Sequence, residues 1–382
     1  MKTILVTGGA GYIGSHTVNE LIEKGFSVVV LDSMESGHKE VVNPKAKLYV
    51  GNINDSEIVK KIFAENKIDA VIDFAAYLAA GESMVEPEMY LENNVINFVK
   101  FLDALVENGC KHIIKSSTAA VYGNPTKEDD IPWREEFIEK YRPQLSALLD
   151  GKWDGEDVVG ETFFDKFITK YEELAEKEEL KLSPDEKLKA KISLSIYGLS
   201  KLLDEIILKK YDELYGMKSI ALRYFNVCGA DPEGRTGDSK PVPTNLMTLA
   251  IMNLLGKIPE LKINGRDYET PDGTCVRDYI HPSDLATGHV AALNYLLESA
   301  TSDIINLGTG SGSTVLEVIA AVEKASSKKA KTSDGPRRSG DPVISVADPS
   351  RAKQVLNWQA KYNIDDMAET AWKWHSQNPY GF

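Results

Sequence analysis

The chain has 382 residues, 42% of them hydrophobic, and a formal net charge of −14 at neutral pH. Its size allows one large α/β domain with a smaller appendage, and its negative charge argues against sequence-independent binding to a nucleic-acid backbone. We find neither a secretory leader nor an apolar run near the roughly 20 residues of a membrane helix, so we expect a cytoplasmic protein with no membrane partner. The three cysteines and six histidines are scattered, a spacing that predicts no metal site.

Residues 2–121 alternate short β-branched runs with helical periods, a pattern typical of parallel βαβ units. A long amphipathic helix over residues 197–214 then precedes a sixth strand. This order predicts an α/β fold with a doubly wound, parallel Rossmann-type sheet, which forms a dinucleotide-binding domain over residues 1–225. The predicted strands cover residues 3–7, 27–31, 47–50, 70–74, 112–116 and 219–224.

Three glycines, Gly8, Gly11 and Gly14, separate the first predicted strand from a helix that we expect to begin near residue 15. They permit a tight turn, close approach of a pyrophosphate and close packing of helix on strand, and the helix N-terminus offers free N–H groups to the phosphates. Asp32 ends the second strand, where a carboxylate accepts from ribose hydroxyls and repels a 2′-phosphate, which favours NAD. The alternative for Asp32 is an acid in a turn or at a helix cap.

A catalytic group is predicted on the helix over residues 197–214. Tyr197 and Lys201 lie four residues apart, so their side chains share one face. A tyrosine needs a nearby cation to act as a base at neutral pH, since its ordinary pKa is about 10. We therefore expect the Lys201 ammonium, with the nicotinamide of bound NAD⁺ as a second positive charge, to lower the pKa of Tyr197 and make it a general base. Thr118, at the end of a central strand, would orient the same substrate hydroxyl.

From residue 133 to about 189 the sequence becomes dense in Glu, Lys and Asp, with aromatic residues at helical spacing. This composition predicts a charged helical insert that interrupts the first domain. A solvated insertion is one interpretation, and a lid or an assembly surface is the other. After residue 226, loops rich in Gly, Pro and Asp surround predicted helices over residues 245–255 and 314–324, which indicates a smaller substrate-binding domain over 226–382.

Several longer runs carry a family resemblance. They are Val-Thr-Gly-Gly-Ala-Gly-Tyr-Ile-Gly-Ser at 6–15, Gly-Glu-Ser at 81–83, Asn-Asn-Val at 93–95, Arg-Tyr-Phe-Asn-Val at 223–227 and Arg-Arg-Ser-Gly-Asp at 337–341. With them the chain resembles the extended short-chain dehydrogenase/reductase family, and within it the nucleotide-sugar 4-epimerases. The resemblance implies an isomerase of galactose metabolism that inverts C4 of a UDP-hexose, plain or N-acetylated, through a transient 4-keto sugar with bound NAD.

The resemblance also implies site residues and an assembly. The expected cofactor contacts are Gly8, Gly11, Tyr12, Ile13, Gly14, Asp32, Asn52, Ile53, Phe74, Ala75, Asn94, Tyr197, Lys201 and Tyr224. The expected substrate contacts are Thr118, Tyr224, Phe225, Asn226, Asn245, Leu246, Arg277, Arg338, Asp341 and Ser345. A homodimer is expected through helices near residues 94–106 and 199–214. Asp73 departs from the family pattern, in which histidine is common at this position.

Two alternatives remain open from the residues alone. The first is a nucleotide-sugar dehydratase or decarboxylase on the same fold, which is weakened because Ala119 and Ala120 follow Thr118 where a dehydratase needs acid/base carboxyls. The second is a non-catalytic NAD-sensing scaffold that uses the insert to bind a protein. Intact Thr118, Tyr197 and Lys201 argue against it.

Overall fold

The computed structural model describes residues 1–123, 130–137, 194–240, 242–338 and 341–382. A sheet of seven parallel strands forms the centre, in the order β10-β6-β5-β4-β1-β2-β3. This order reverses direction at β1, so the predicted doubly wound Rossmann-type sheet is confirmed. The strands are β1 Thr3–Thr7, β2 Ser27–Asp32, β3 Lys47–Val50, β4 Ala70–Asp73, β5 His112–Thr118, β6 Lys218–Tyr224 and β10 Asp303–Leu307.

Helices cover both faces of this sheet and fill the C-terminal region. In the described residues they are α1 Tyr12–Glu23, α2 Ser56–Glu65, α3 Ala80–Ser83, α4 Pro87–Leu91, α5 Asn97–Glu107, α6 Ile196–Tyr215, α7 Leu246–Leu254, α8 Pro282–Ser299, α9 Val315–Ser326, α10 Ser350–Leu356 and α11 Ile364–Gln377. A π-helical turn, Glu92–Ile96, leads into α5, and a 3-10 turn, Ala119–Tyr122, follows β5. Among the described residues no helix is both long enough and apolar enough to cross a bilayer.

The predicted strands agree with the observed ones to within two residues, because the β-branched runs of all of them except β3 are buried on both faces of the sheet. The predicted start of α1 near residue 15 is wrong, since the helix begins at Tyr12. The extended backbone of Gly11 caps it, and Ser15 N already donates to Gly11 O at 2.9 Å. Gly14 therefore belongs to the first helical turn.

Short strands organise the region after residue 226. β9, Val276–Ile280, pairs with β7, Asn226–Val227, with β11, Gly312–Thr314, and with β13, Ile344–Ser345. β8, Leu261–Asn264, pairs only with β12, Thr332–Gly335, in the described sheets. The domain boundary near residue 225 stays a prediction, and β10 shows that the chain crosses it again to complete the large sheet.

The start of the predicted insert belongs to the host domain. Trp133 is fully buried, and its ring stacks on Tyr122 with 5.0 Å between centroids and a 4° interplanar angle. Its backbone N donates to Val346 O at 2.8 Å, and Phe137 packs edge-on against it. These two aromatic residues thus pack into the host core, and the start of the insert at about residue 133 stays a prediction. The rest of the predicted insert, residues 138–189, lies outside the described residues.

Candidate active site

The glycine loop forms a tight cradle at the carboxyl end of β1. Gly8 has φ +67°, a conformation that residues with a Cβ rarely adopt. A Cβ on Gly14 would lie 2.1 Å from Gly8 O, and one on Gly11 would lie 3.2 Å from the same atom. No side chain caps α1, which leaves the backbone of Tyr12 and Ile13 to face an anion at the helix N-terminus.

Asp32 lies beside this loop at the end of β2 and is 7% exposed. Its carboxylate accepts from Ala10 N and from Met34 N, each at 2.9 Å. These two bonds fix the carboxylate at the mouth of the glycine loop and leave lone pairs for further donors. A cradle that a Cβ would fill, a helix N-terminus without a side-chain cap and a fixed carboxylate together fit a dinucleotide.

The other predicted cofactor contacts lie along the same sheet edge. Phe74 and Ala75 follow β4 and line the glycine turn, since a Cβ on Gly8 would lie 3.0 Å from both of their backbones. Asn94 is buried and its amide bonds Tyr77 O and the Ser200 hydroxyl, each at 3.1 Å. Asn52 and Ile53 follow β3, and the Ile53 side chain is buried in the core. Tyr224 ends β6, where its phenol contacts the Ser116 hydroxyl.

The predicted catalytic residues Tyr197 and Thr118 meet at the carboxyl end of β5. Their side chains lie close enough for Thr118 to affect the pKa of the Tyr197 phenol, although they are 79 positions apart in the chain. Both residues are half-buried. Thr118 Oγ1 also accepts from Ala120 N at 3.2 Å, which holds the threonine in place.

Lys201 is fully buried one turn further along α6, and its ammonium donates to Ser116 O at 3.1 Å. Burial raises the pKa of Tyr197 to about 12, although the side chain of Thr118 lowers it. The lowering of this pKa by Lys201 together with the nicotinamide of bound NAD⁺ stays a prediction. Burial also lowers the pKa of Lys201 to about 8, with Lys115 as the next cause.

Three predicted substrate contacts lie on the small sheet around β9. In its register Arg277 pairs with Ser345 and Asn226 pairs with Tyr279. The Asn226 side-chain amide donates to Asp278 O at 3.2 Å, and its own position is exposed. Asn226, Arg277 and Ser345 thus come from three distant segments to one small sheet.

The two predicted substrate arginines and an acid converge near β9. Arg277 Nη2 lies 3.7 Å from Asp341 Oδ1. Burial is the largest influence on the pKa of the Cys275 thiol and raises it. The charges of Arg277 and Arg338 lower this pKa, and that of Asp341 raises it. Arg338 Nε and Nη2 each lie 3.1 Å from the Asn264 side-chain oxygen when that amide is oriented to accept. Guanidinium groups at this point suit a diphosphate.

The remaining predicted contacts are held by structural bonds of their own. Asn245 caps α7 by accepting from Thr248 N at 2.8 Å, and its amide donates to Asp238 at 2.5 Å. Leu246 is the first residue of that helix, and Phe225 is 9% exposed. Ser345 Oγ accepts from Trp133 Nε1 at 3.2 Å, a contact that the sequence does not indicate.

Ser83 was not among the predicted site residues, although it belongs to the Gly-Glu-Ser run at 81–83 that carries part of the resemblance. Its hydroxyl accepts from Tyr197 N at 3.1 Å and donates to Ala80 O at 2.7 Å. It thereby fixes the N-terminus of the helix that carries Tyr197. Its place in a Gly-Glu-Ser run was the available signal.

Comparison with known proteins decides the family. Residues 4–146 match the model of the NAD dependent epimerase/dehydratase family, and residues 178–371 match that of GDP-mannose 4,6 dehydratase. The UDP-glucose 4-epimerase of Streptococcus mutans is 39% identical over 382 residues, which covers 99% of this chain and 98% of the relative. The chain belongs to the UDP-glucose 4-epimerase family. The NAD cofactor of this family agrees with the glycine cradle and with Asp32.

Solved structures of the UDP-glucose 4-epimerase family share the whole fold. The enzyme from Bifidobacterium longum, in complex with NAD+ and UDP, is 34% identical, covers 100% of both chains and superposes with a TM-score of 0.80. The UDP-Glc/GlcNAc 4-epimerase of Campylobacter jejuni is 32% identical, covers 99% of this chain and 100% of its own, and gives a TM-score of 0.73. The resemblance expected from the motifs is thus confirmed along the full chain.

Proposed function

We propose that this chain inverts C4 of a UDP-hexose, interconverting UDP-glucose and UDP-galactose with NAD held throughout the cycle. The observation that carries the proposal is the close approach of the Tyr197 and Thr118 side chains at the carboxyl end of the sheet. Both residues are half-buried. The glycine cradle at the same edge of the sheet fits a dinucleotide. Ligands of doubly wound sheets bind at this edge.

The three catalytic candidates have distinct roles in this proposal. Thr118 orients the C4 hydroxyl, and Tyr197 accepts its proton and later returns it to the same oxygen, after the transient 4-keto sugar has turned to present its other face for reduction at C4. Lys201 holds a positive charge behind the phenol, anchored by Ser116 O. NAD, when bound, supplies a reversible hydride acceptor and a positive nicotinamide charge that favours the phenolate.

The nucleotide sugar would be bound from the β9 side. Arg277 and Arg338 would donate hydrogen bonds to the diphosphate. These local positive charges are needed because the chain as a whole has a net charge of −14. Asp341 lies 3.7 Å from Arg277 and would orient that guanidinium or accept from ribose hydroxyls. Asn226, Asn245 and Leu246 would complete the contacts to the sugar and base.

The accepted hexoses would include N-acetylated ones, because Ser345 is small at a position that would face C2 of the sugar. Its hydroxyl is held by Trp133, whose stacked ring keeps the serine side chain in one place. A serine hydroxyl can still accept or donate a further bond to an amide. The UDP-Glc/GlcNAc 4-epimerase among the similar structures supports this breadth.

A dehydratase is the second candidate, since residues 178–371 match a GDP-mannose 4,6 dehydratase model. Ala119 and Ala120 occupy the turn after Thr118, where a dehydratase requires acid/base carboxyls. The full-length match to 4-epimerases and this pair of alanines favour epimerisation.

We further propose a cytoplasmic homodimer. Cys110, Cys228 and Cys275 are free, buried thiols, which suit a reducing compartment. The apolar residues of α5 and α6 are largely buried within the chain itself, so the dimer interface at residues 94–106 and 199–214 rests on the family alone. Sedimentation at micromolar concentration tests it, and a monomer would contradict it.

A coupled assay tests the proposed reaction. Purified protein should convert UDP-galactose to UDP-glucose without added NAD, since the cofactor is regenerated in each cycle. Conversion that needs stoichiometric NAD, or release of a 4-keto-6-deoxy product, would overturn epimerisation. If none of the UDP-sugars tested reacts, the non-catalytic scaffold alternative is favoured.

A further inference from the structure

Four charged side chains meet beneath the catalytic pair. They come from the end of β4, from β5 and from α6, and each is at most 1% exposed: Asp73, Lys115, Lys201 and Asp204. Lys115 Nζ lies 2.5 Å from Asp73 Oδ2 and 3.2 Å from Asp204 Oδ2. Lys201 Nζ lies 3.9 Å from the same Asp204 oxygen. Two cations and two anions thus balance inside the protein.

A buried charge is costly unless it is paired. The proposed reaction uses only one of these four side chains, Lys201, so the other three charges need a separate explanation. Asp73 is well satisfied, because it accepts from the Thr7 hydroxyl, from Ala75 N at 3.1 Å and from Lys115. The Lys115 ammonium also lies 3.7 Å from the centroid of the Phe98 ring. This half of the cluster is therefore fixed.

Asp204 is the loosely held member. Among the described residues neither of its oxygens has a hydrogen-bond partner of good geometry, and its contacts are ionic. It lies closer to Lys115 than to Lys201, while the Lys201 ammonium donates to Ser116 O. The carboxylate is thus shared unequally between two lysines, only one of which belongs to the catalytic group.

We propose that Lys115 is a positioning residue that competes for Asp204, so that Lys201 is not drawn into a closed ion pair and its ammonium remains directed at the floor of the Tyr197 site. The inference rests on the proposed function, since it assigns a role beneath the same pair. Lys115 and Asp204 act through Lys201 and contact no substrate.

The other titratable groups near Lys201 have partners of their own, so they do not compete with it for Asp204. Glu205, next to Asp204 in α6, is paired with Arg223 at 2.6 Å. The Tyr224 phenol on β6 is bonded to Ser116. The Asp204 charge raises the pKa of Tyr197, and Lys115 lowers that of Lys201. Removing either partner should therefore move the pH profile, and in opposite directions.

The experiment measures kcat/KM for UDP-galactose against pH in NAD-loaded enzyme. On the acid limb of the profile, activity rises with pH as Tyr197 loses its proton. Asp204→Asn removes an anion near the phenol and lowers the pKa of Tyr197, so this limb should move down by roughly one pH unit. Lys115→Met leaves two carboxylates facing one lysine, so the limb should move up by about the same amount. The double variant restores the charge balance and should return the limb toward the wild-type position.

Lys210→Met is the matched control. It removes one lysine charge from the same helix at a partly exposed pair with Glu213, and its profile should equal that of the wild type. Equal shifts in one direction, or a loss of kcat at every pH without a shift, would overturn the inference and indicate a purely structural cluster. If Lys115→Met does not fold, Asp204→Asn decides alone: a downward shift supports the inference, and an unchanged or upward limb overturns it. Wild-type protein that fails to turn over UDP-galactose would instead reject the proposed function.

Discussion

Replacing Gly14 with alanine should weaken NAD binding without unfolding the protein. The new Cβ would lie 2.1 Å from Gly8 O and 2.9 Å from the Gly9 Cα. Real Cβ atoms essentially never come within 3.0 Å of another heavy atom, so the loop must move by about 0.9 Å. Both neighbours are backbone atoms, which cannot rotate away as a side chain would.

The size of the effect follows from overpacking. Forcing extra carbon into a well-packed site costs about 1–3 kcal/mol. If the apo protein relieves this strain by opening the cradle, NAD binding must close it again, and the Kd for NAD should rise about 5- to 150-fold. The distance from Gly8 O to α1 sets the width of the cradle. The substitution should therefore lower the affinity for NAD more than it lowers the thermal midpoint.

The assay is a calorimetric titration of NAD into cofactor-stripped protein, with the thermal midpoint measured in parallel. Gly25→Ala is the matched control, because Gly25 has φ +85° but no heavy atom within 4 Å of the point where a Cβ would lie, so the substitution adds backbone strain without a clash. It should lower the thermal midpoint and leave NAD affinity unchanged. An affinity of Gly14→Ala within twofold of the wild type would refute the reasoning.

Three further predictions concern catalysis, stability and substrate breadth. Tyr197→Phe should keep NAD bound and lower kcat about 10²- to 10⁴-fold, because the proton acceptor is lost while the ring remains; near-normal turnover would reject the assigned base. Glu205→Ala should cost about 3–5 kcal/mol in urea unfolding by leaving Arg223 buried without its carboxylate, whereas Glu213→Ala at an exposed pair should cost less than about 1 kcal/mol; equal costs would contradict this. Ser345→Tyr should lower kcat/KM for UDP-N-acetylgalactosamine much more than for UDP-galactose, and equal losses would place the gate elsewhere.

Local signals predicted the cofactor half of the molecule well. Strand β1, the glycines and Asp32 are contiguous or nearly so, and their roles depend on backbone geometry that sequence spacing controls. The pairing of Tyr197 with Lys201 on one helix followed from helical periodicity. The start of α1 was missed because Gly11, which has no side chain to cap with, still caps the helix through its extended backbone.

Features made by distant segments could not be predicted. Trp133 looked like part of a charged insert, because nothing in its neighbourhood shows that Tyr122 and Val346 bury it. The raised pKa of Tyr197 depends on burial that no local pattern encodes. Lys115 in a central strand carries no periodic signal, and its partner Asp204 appears only as an ordinary helical acid three residues after Lys201.

The most direct measurement of the central claim follows the hydrogen at C4 of the sugar. UDP-galactose with deuterium at C4 should give UDP-glucose that keeps deuterium at C4, when incubated with the protein in ordinary water and analysed by mass spectrometry and NMR. Retention is expected because the hydrogen leaves C4 and returns to it as a hydride, which does not exchange with water. Loss of the deuterium to water would contradict inversion by internal oxidation and reduction.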